Sequence, residues 1–273
     1  MQSEGWETID GIKTRFLEAG KDRKELVVFI HGLGSSADRW LDIPLALSLY
    51  YHTMAVDLPG FGMADRPESG FGYRISDYSD FLEKLIQKVA SGKKKYSLIG
   101  HSLGGYIAAE MAIRDHARVD KLVLIDPSGA LNGPTELLQK YLAAAMNPTR
   151  ETVRQVFEQL VAVPSRIPDF LVDGFIFRMN RSGAKNAFKL AYENSVNTQL
   201  AGKRLGKISG INTLLIWGKE DRLIPPSLQS VFRNAIRGCI AVEIEDAGHA
   251  PFAEKPALAC ELIHRFLETA NAA

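Results

Sequence analysis

The amino-acid sequence predicts an α/β fold, in which a doubly wound, mostly parallel sheet carries an inserted helical cap. Short, continuously apolar runs alternate with longer amphipathic stretches along most of the chain. Runs without internal alternation are typical of strands that helices bury on both faces. The alternation stops in one segment of the second half. The 273 residues suffice for one sizeable domain with such an insertion.

The first predicted strands differ from the others. In "GWETIDGIKTRFLEAG", residues 5–20, the pair Asp10-Gly11 separates two alternating runs. This pattern predicts a β-hairpin and therefore an antiparallel start to the sheet. The buried parallel strands are predicted at residues 26–30, 54–56, 97–99, 122–125, 214–217 and 242–244.

Helical segments are predicted between these strands. Their amphipathic spacing indicates helices at residues 38–50, 76–90, 103–116, 227–237 and 256–269. Ser76 is the predicted N-cap of the second of these helices, because its hydroxyl can accept a hydrogen bond from a free backbone N–H.

The segment 128–206 is the predicted cap. It has no strand-like run, and its apolar spacing predicts helices at residues 134–145, 149–161, 168–177 and 184–196, punctuated by proline and glycine. We therefore predict a core of residues 1–127 and 207–273, with residues 128–206 as a lid or a dimerisation element. Large apolar side chains are frequent in this cap, and we expect some of them to form an apolar pocket over the sheet.

Composition and charge exclude several classes of partner. A net charge of +1 provides no electrostatic surface for nucleic acid. No apolar run approaches the ~18 residues that span a bilayer, and the polar N-terminal residues do not resemble a signal peptide. Cys239 and Cys260 have neither metal-ligand nor disulfide spacing. We expect a cytoplasmic protein, monomeric or homodimeric, without a membrane span or a nucleic-acid partner.

The stretch "GHSLGG", residues 100–105, carries the clearest chemical signal. It has the pattern G-x-S-x-G between an apolar strand and a helix, where a sharp turn presents the serine hydroxyl at the helix N-terminus. Small residues at Gly100 and Gly104 are needed because that turn is crowded. The alternative, a structural glycine turn, is weaker in this context. Ser102 is therefore the predicted nucleophile.

A serine nucleophile needs a base, and His249 is the predicted one. It lies in "EDAGHAPFAEKP", between the last predicted strand and the last helix. Loops at the carboxyl ends of parallel strands meet at one sheet edge, which places His249 near Ser102. His101 is expected to point away from the site, and His31 to support its own loop.

The base in turn needs a carboxylate that fixes its tautomer. "LLIWGKEDRLIPP" ends a strand and supplies two acidic residues, of which Asp221 is favoured and Glu220 is expected to be a solvated surface charge. Asp126, at the end of the preceding strand in "LVLIDPSG", is the competing candidate, since the order Ser…Asp…His accepts either position.

An oxyanion hole completes this chemistry. The glycine loop "FIHGLGSS", residues 29–36, can bring the Leu33 amide towards a reacting carbonyl, and the Leu103 amide follows the nucleophile directly. A phosphate loop is excluded because neither G-x-x-x-x-G-K-[ST] nor G-x-G-x-x-G is present. The predicted acyl transfer requires no metal and no cofactor.

These pieces together resemble the α/β-hydrolase superfamily, in particular its lid-bearing serine esterases. "HGLGSS", "DLPGFG", "GHSLGG", "GKEDRLIP" and "GHAPFAEKP" occur in the order and approximate spacing of that family. The resemblance implies an eight-stranded sheet, with the cap inserted after the sixth strand. It also implies a triad of Ser102, Asp221 and His249, with Leu33 and Leu103 as oxyanion donors.

The resemblance implies hydrolysis of a small-molecule carboxylic ester with a small to medium apolar acyl group. Haloalkane dehalogenases and epoxide hydrolases of this fold have aspartate where this chain has Ser102, which excludes them. Carbon–carbon bond hydrolases of ring-cleavage products usually place tryptophan after the catalytic histidine, where this chain has Ala250. They stay open as an alternative, as do lactonases, perhydrolases and slow-turnover ligand receptors.

The substrate is expected to contact His31, Gly32, Tyr141, Phe175 and Ala250. The cap also contains several arginines that we expect to be solvated, with pairing to a substrate carboxylate as the alternative. They are Arg150, Arg154, Arg166 and Arg178.

Overall fold

The sheet begins with the predicted hairpin. In the computed structural model, which describes residues 2–40, 42–164, 167–200 and 202–269, β1 (Ser3–Ile9) and β2 (Ile12–Ala19) pair antiparallel. The turn residues Asp10 and Gly11 have φ values of 49° and 81°. Positive φ at both central residues is what a two-residue hairpin turn of matching twist requires.

Six strands continue the sheet, each beginning at or before its predicted apolar run. They are β3 (Leu26–Ile30), β4 (His52–Val56), β5 (Tyr96–His101), β6 (Val119–Ile125), β7 (Asn212–Gly218) and β8 (Ile240–Ile244). The eight strands lie in the order β1-β2-β4-β3-β5-β6-β7-β8. β2 pairs antiparallel with β4, and all pairs from β4 to β8 are parallel. The predicted mostly parallel, eight-stranded sheet is confirmed.

Helices cover both faces of this sheet, as the fully apolar strands require. The core helices are α1 (Ile43–Leu47), α2 (Ile75–Val89), α3 (Leu103–Arg114), α8 (Gln229–Ala235), α9 (Pro251–Glu254) and α10 (Pro256–Glu268). One apolar cluster joins Leu82 of α2 and Ile107 of α3 to one face. A second cluster joins Leu47 of α1 and Ile263 of α10 to the other face. The doubly wound arrangement is therefore confirmed.

Three local predictions were wrong. The helix expected at residues 38–50 is a 3₁₀ turn at Ala37–Trp40 followed by the short helix α1, because Pro44 lacks the N–H of a helix interior and is tolerated only in a first turn. Leu41 lies outside the described residues.

Ser76 is not an N-cap, since α2 already begins at Ile75 and the Asp77 carboxylate accepts from the Arg74 amide at 3.1 Å. The helix expected at 227–237 begins as a 3₁₀ turn, Pro226–Leu228.

Four helices lie between β6 and β7, in the segment predicted to be helical. They are α4 (Glu136–Met146), α5 (Arg150–Leu160), α6 (Asp169–Met179) and α7 (Ala184–Val196). Thr135 and Thr149 cap α4 and α5 by accepting backbone amides at 3.2 and 3.1 Å. The division into a core and a cap of residues 128–206 stays a prediction. Across the described ranges, no helix is long and apolar enough to cross a membrane.

Candidate active site

Ser102 occupies a sharp turn between β5 and α3. Its φ of 54° and ψ of −118° are unusual for a residue with a side chain. A Cβ atom on Gly100 would lie 2.2 Å from the Gly104 carbonyl oxygen, and one on Gly104 would lie 2.1 Å from the Ile30 oxygen. The turn therefore needs glycine on both sides of the serine. Strain of this kind persists where the surroundings hold it, which is typical of functional sites.

The backbone of Ser102 is held from several directions. Its amide donates to Ile125 O in β6 at 3.0 Å, and its carbonyl accepts from the amides of Tyr106 at 3.1 Å and Ser128 at 3.0 Å. The Ser128 hydroxyl approaches the same carbonyl at 3.3 Å. These bonds fix the main chain, while the side chain lines a cavity.

His249 lines the same cavity and lies against a carboxylate. Its Nδ1 is 2.8 Å from Asp221 Oδ2, and both side chains are buried. An ionised carboxylate can only accept a hydrogen bond, so Nδ1 carries the proton and Nε2 is the basic nitrogen. The loop of His249 is also tied to α5, because the His249 amide donates to Leu160 O at 2.7 Å.

Asp221 is oriented by its own turn. Oδ1 accepts from the amides of Leu223 at 2.8 Å and Ile224 at 3.0 Å, which leaves Oδ2 for His249. Glu220, expected to be solvated, instead accepts from the Ala247 amide at 3.0 Å. That expectation was wrong, because the Glu220 carboxylate is hydrogen-bonded to the backbone two residues before His249.

The structure brings Asp221, and not Asp126, to the histidine. Asp126 is fully buried, and its Oδ1 accepts from the Gly218 amide at 2.9 Å. Its Oδ2 meets no hydrogen-bond donor among the described residues. Burial, followed by the charge of Asp221, raises the pKa of Asp126 well above its usual range. Asp126 therefore holds its proton more tightly than an exposed aspartic acid does.

His101 does not point away from the site, contrary to the sequence prediction. Its ring lies 4.8 Å from the His249 ring, and its Nε2 is 2.6 Å from the His249 carbonyl oxygen. Burial and the neighbouring His249 lower the pKa of His101 well below its usual value. The neutral ring therefore donates from Nε2. The sequence could not place this contact because it joins residues 148 positions apart.

The glycine loop approaches Ser102 closely. A Cβ atom on Gly32 would lie 3.0 Å from Ser102 Cβ, so the chain that carries Leu33 passes beside the nucleophile. The Tyr141 hydroxyl donates to Leu33 O at 3.1 Å and anchors this loop to α4. Leu103 is the first residue of α3, and amides of a first helical turn have no acceptor within their helix.

The central cavity, which Ser102 and His249 line, has a volume of about 130 Å³. Of the residues expected to contact the substrate, Gly32, Tyr141, Phe175 and Ala250 also line it. His31 is not among the described residues that line it. His31 instead donates from Nδ1 to Gly32 O at 2.8 Å and accepts the Leu58 amide at Nε2 at 3.1 Å. It supports the loop, as the second expectation for it stated.

Most of the cavity wall is apolar, as the composition of the segment predicted. Two arginines interrupt it, Arg39 and Arg178. The expectation that Arg178 is solvated was therefore wrong: its Nε is completely buried. Arg150 and Arg154 are paired on the surface with Asp173 and Asp169. Arg166 lies outside the described residues. In the part of the chain that the structure describes, no three His, Cys, Asp or Glu side chains are grouped for a metal ion.

Comparison with known families identifies the fold. The model of the α/β hydrolase fold matches residues 25–256, which is most of the chain. The chain belongs to this family. Its hydrolase fold indicates an enzyme, and similar proteins include ester hydrolases and carbon–carbon bond hydrolases.

Individual relatives are distant. The chain is 29% identical to a 2-hydroxy-6-oxononadienedioate/2-hydroxy-6-oxononatrienedioate hydrolase of Cupriavidus pinatubonensis, over 74% of this chain and 72% of the relative. A solved bacterial membrane phospholipase A is 27% identical, with a TM-score of 0.85 over 98% of this chain and 86% of that one. The acetyltransferase component of the acetoin cleaving system of Cupriavidus necator is 27% identical over 90% of this chain. The chain spans only 64% of the length of that relative.

Proposed function

We propose that this α/β hydrolase is a serine esterase that cleaves carboxylic esters with small to medium apolar acyl groups. The observation that carries the proposal is the buried contact of 2.8 Å between His249 Nδ1 and Asp221 Oδ2, in a cavity that Ser102 shares. A base with a fixed tautomer next to a serine in a strained turn is the arrangement that acyl transfer needs.

In the first half of the proposed reaction, Ser102 Oγ attacks the ester carbonyl carbon. His249 Nε2 takes the hydroxyl proton, and Asp221 stabilises the imidazolium that results. The tetrahedral intermediate collapses when the C–O bond to the alcohol breaks, and His249 returns the proton to the leaving oxygen. An acyl-serine ester remains.

In the second half, His249 removes a proton from a water molecule that attacks the acyl-serine carbonyl. Collapse releases the carboxylic acid and restores the Ser102 hydroxyl. In both halves the Leu33 and Leu103 amides donate to the carbonyl oxygen as its negative charge develops. A donor of this kind contributes ~2.7–4 kcal/mol to the transition state.

The cavity dimensions support small to medium acyl groups. A volume of about 130 Å³ is close to the ~150 Å³ that admits one benzene molecule in a protein interior. Phe157, Phe175 and Leu138 lie in its wall, which favours alkyl or aryl groups over sugars. A long acyl chain would extend beyond this volume.

Hydrolysis of a series of 4-nitrophenyl esters, from acetate to long acyl chains, tests the proposal. We expect turnover to be highest for short to medium chains and to fall at least ~10⁴-fold in Ser102→Ala. Ser230→Ala, at an exposed position in α8, is the control and should keep full activity. Folded protein with no turnover on any ester would overturn the proposal.

Carbon–carbon bond cleavage is the second candidate function. The 29% identity to a hydrolase named for a 2-hydroxy-6-oxo dienoic acid favours it, whereas Ala250 in place of the tryptophan usual in such enzymes opposes it. Loss of the visible absorbance of a 2-hydroxy-6-oxo dienoate, measured beside the ester assay, discriminates between them. Lactone or peracid chemistry and slow-turnover ligand binding are further alternatives. A cytoplasmic location and a monomeric or homodimeric state stay predictions.

A further inference from the structure

Two cationic side chains in the wall of the central cavity have no hydrogen-bond or ion-pair partner among the residues that the structure describes. Arg39, in the 3₁₀ turn Ala37–Trp40, and Arg178, in α6, both line this cavity. Both also line a neighbouring outer cavity of about 470 Å³, so they lie at the boundary of the two. Within the described ranges, neither guanidinium forms an ion pair or a hydrogen bond, and Arg178 Nε is buried without an acceptor.

The nearest carboxylates are already engaged. Glu254, whose charge acts on Arg39, accepts the Gly248 amide at 2.9 Å and the Ala162 amide at 2.8 Å. Asp38, whose charge acts on Arg178, pairs with Arg15 and with the Ser36 hydroxyl. Both carboxylates also line the outer cavity, but among the described residues neither one forms a hydrogen bond or an ion pair with Arg39 or Arg178.

Two other arginines of this chain, by contrast, are paired with carboxylates. Arg15, almost completely buried, has Asp57 at 2.8 Å, and Arg204 has Glu110 at 2.5 Å. Burial lowers the pKa of Arg39 and Arg178, but a guanidinium in a protein keeps its proton. Holding two unpaired charges in an apolar wall costs free energy, and an anion that enters with a ligand would offset this cost.

We propose that Arg39 and Arg178 form a subsite for an anionic group, a carboxylate or a phosphate, on the molecule whose ester bond Ser102 attacks. This inference rests on the proposed esterase function and narrows its substrate class to esters that carry a second, acidic group. Arginine suits this task because its planar fork of donors matches both oxyanions. The apolar part of the substrate fills the remainder of the central cavity.

Binding to the Ser102→Ala protein, measured by calorimetry, tests the subsite without hydrolysis. Monomethyl adipate carries one carboxylate, and dimethyl adipate is its neutral counterpart. We expect monomethyl adipate to bind at least about tenfold more tightly, as charged hydrogen bonds in a partly buried site provide. A second pair, hexyl phosphate and hexanol, compares phosphate with carboxylate, and the anion that binds more tightly is the class that the subsite prefers.

Adding Arg39→Gln or Arg178→Gln should remove most of the preference for the anion, measured as the ratio of the dissociation constants of dimethyl and monomethyl adipate. Arg150→Gln, which breaks a surface pair with Asp173, is the matched control and should retain the preference. Equal binding of neutral and anionic ligands by the Ser102→Ala protein would overturn the subsite, even where a glutamine variant does not fold. A preference for the anion without ester hydrolysis would retain the subsite and reject the esterase.

Discussion

The two walls of the central cavity differ in how their polar groups are satisfied. On the core side, the Ser102 carbonyl accepts two amides, and His249 contacts Asp221, which itself accepts two backbone amides. On the wall formed by α4 to α6, Phe175 packs against other rings, and Arg178, like Arg39 in the 3₁₀ turn, has no hydrogen-bond or ion-pair partner among the described residues. Groups that take part in a reaction need a fixed geometry before the substrate binds, whereas groups that recognise a ligand can obtain their hydrogen-bond partner from it. This difference supports the proposed roles, with the reaction at Ser102 and His249 and ligand selection at the two arginines.

Replacement of Asp221, the carboxylate beside His249, should give the largest loss of activity. Asp221→Asn keeps the shape of the side chain but can present its NH₂ to His249 and so favour the wrong tautomer. We expect kcat for a 4-nitrophenyl ester to fall by ~10⁴-fold with little change in KM. Asp80→Asn, on the exposed pair with Arg114, is the control. Retention of more than a tenth of kcat in Asp221→Asn would remove this carboxylate from the proposed mechanism.

Asp126 is fully buried beneath the candidate site, and the effect of replacing it on stability should depend on pH. Because the pKa of Asp126 is raised in the folded protein, the native state binds more protons than the unfolded state above about pH 4. The free energy of unfolding therefore decreases as the pH rises towards the folded pKa, by up to ~1.4 kcal/mol per pH unit.

Asp126→Asn cannot titrate and should lose that slope. The variant should gain stability relative to the unmodified protein as the pH rises, and the difference cancels contributions from the buried histidines. Urea unfolding of both proteins at pH 5, 7 and 9 measures it. A difference that stays constant over this range would show that Asp126 is ionised in the folded state.

Tyr141 joins the two walls, and its hydroxyl should give the smallest effect. Tyr141→Phe removes the hydrogen bond to Leu33 O, a loss of about 1 kcal/mol. If the loop then positions its amide less well, kcat falls about fivefold while KM for an apolar ester is unchanged. Tyr73→Phe, which loses a bond of 2.8 Å to Pro67 O, provides a control of equal chemistry. An equal loss of kcat in both variants would indicate a general effect on folding.

Much of the core could be predicted from the sequence because its signals are local. Continuous apolar runs located β3 to β8, and Asp10-Gly11 located the hairpin. Gly100 also acts locally, since a Cβ atom there would meet Gly104 and Gly105 in the same turn. Asp221 was favoured over Glu220 in the same loop, and the turn that follows Asp221 is what orients its carboxylate.

The rest depends on contacts between distant segments. His101 reaches the carbonyl of residue 249, and Glu220 reaches the Ala247 amide across the end of the sheet. Arg39 stands in a polar stretch and Arg178 among the apolar residues of α6, and only the packing of α6 over the sheet brings both to the same cavity. The spacing of apolar residues along the sequence does not indicate such contacts between distant segments.

The hydrogen bond from the His249 amide to Leu160 O links the position of α5 to the position of His249. Leu160 ends α5, so a displacement of α5 from the sheet would break a bond that holds the proposed base. A conformer open enough to admit bulk water would then hold its imidazole less firmly. The position of the proposed base therefore depends on the position of α5 as well as on the core.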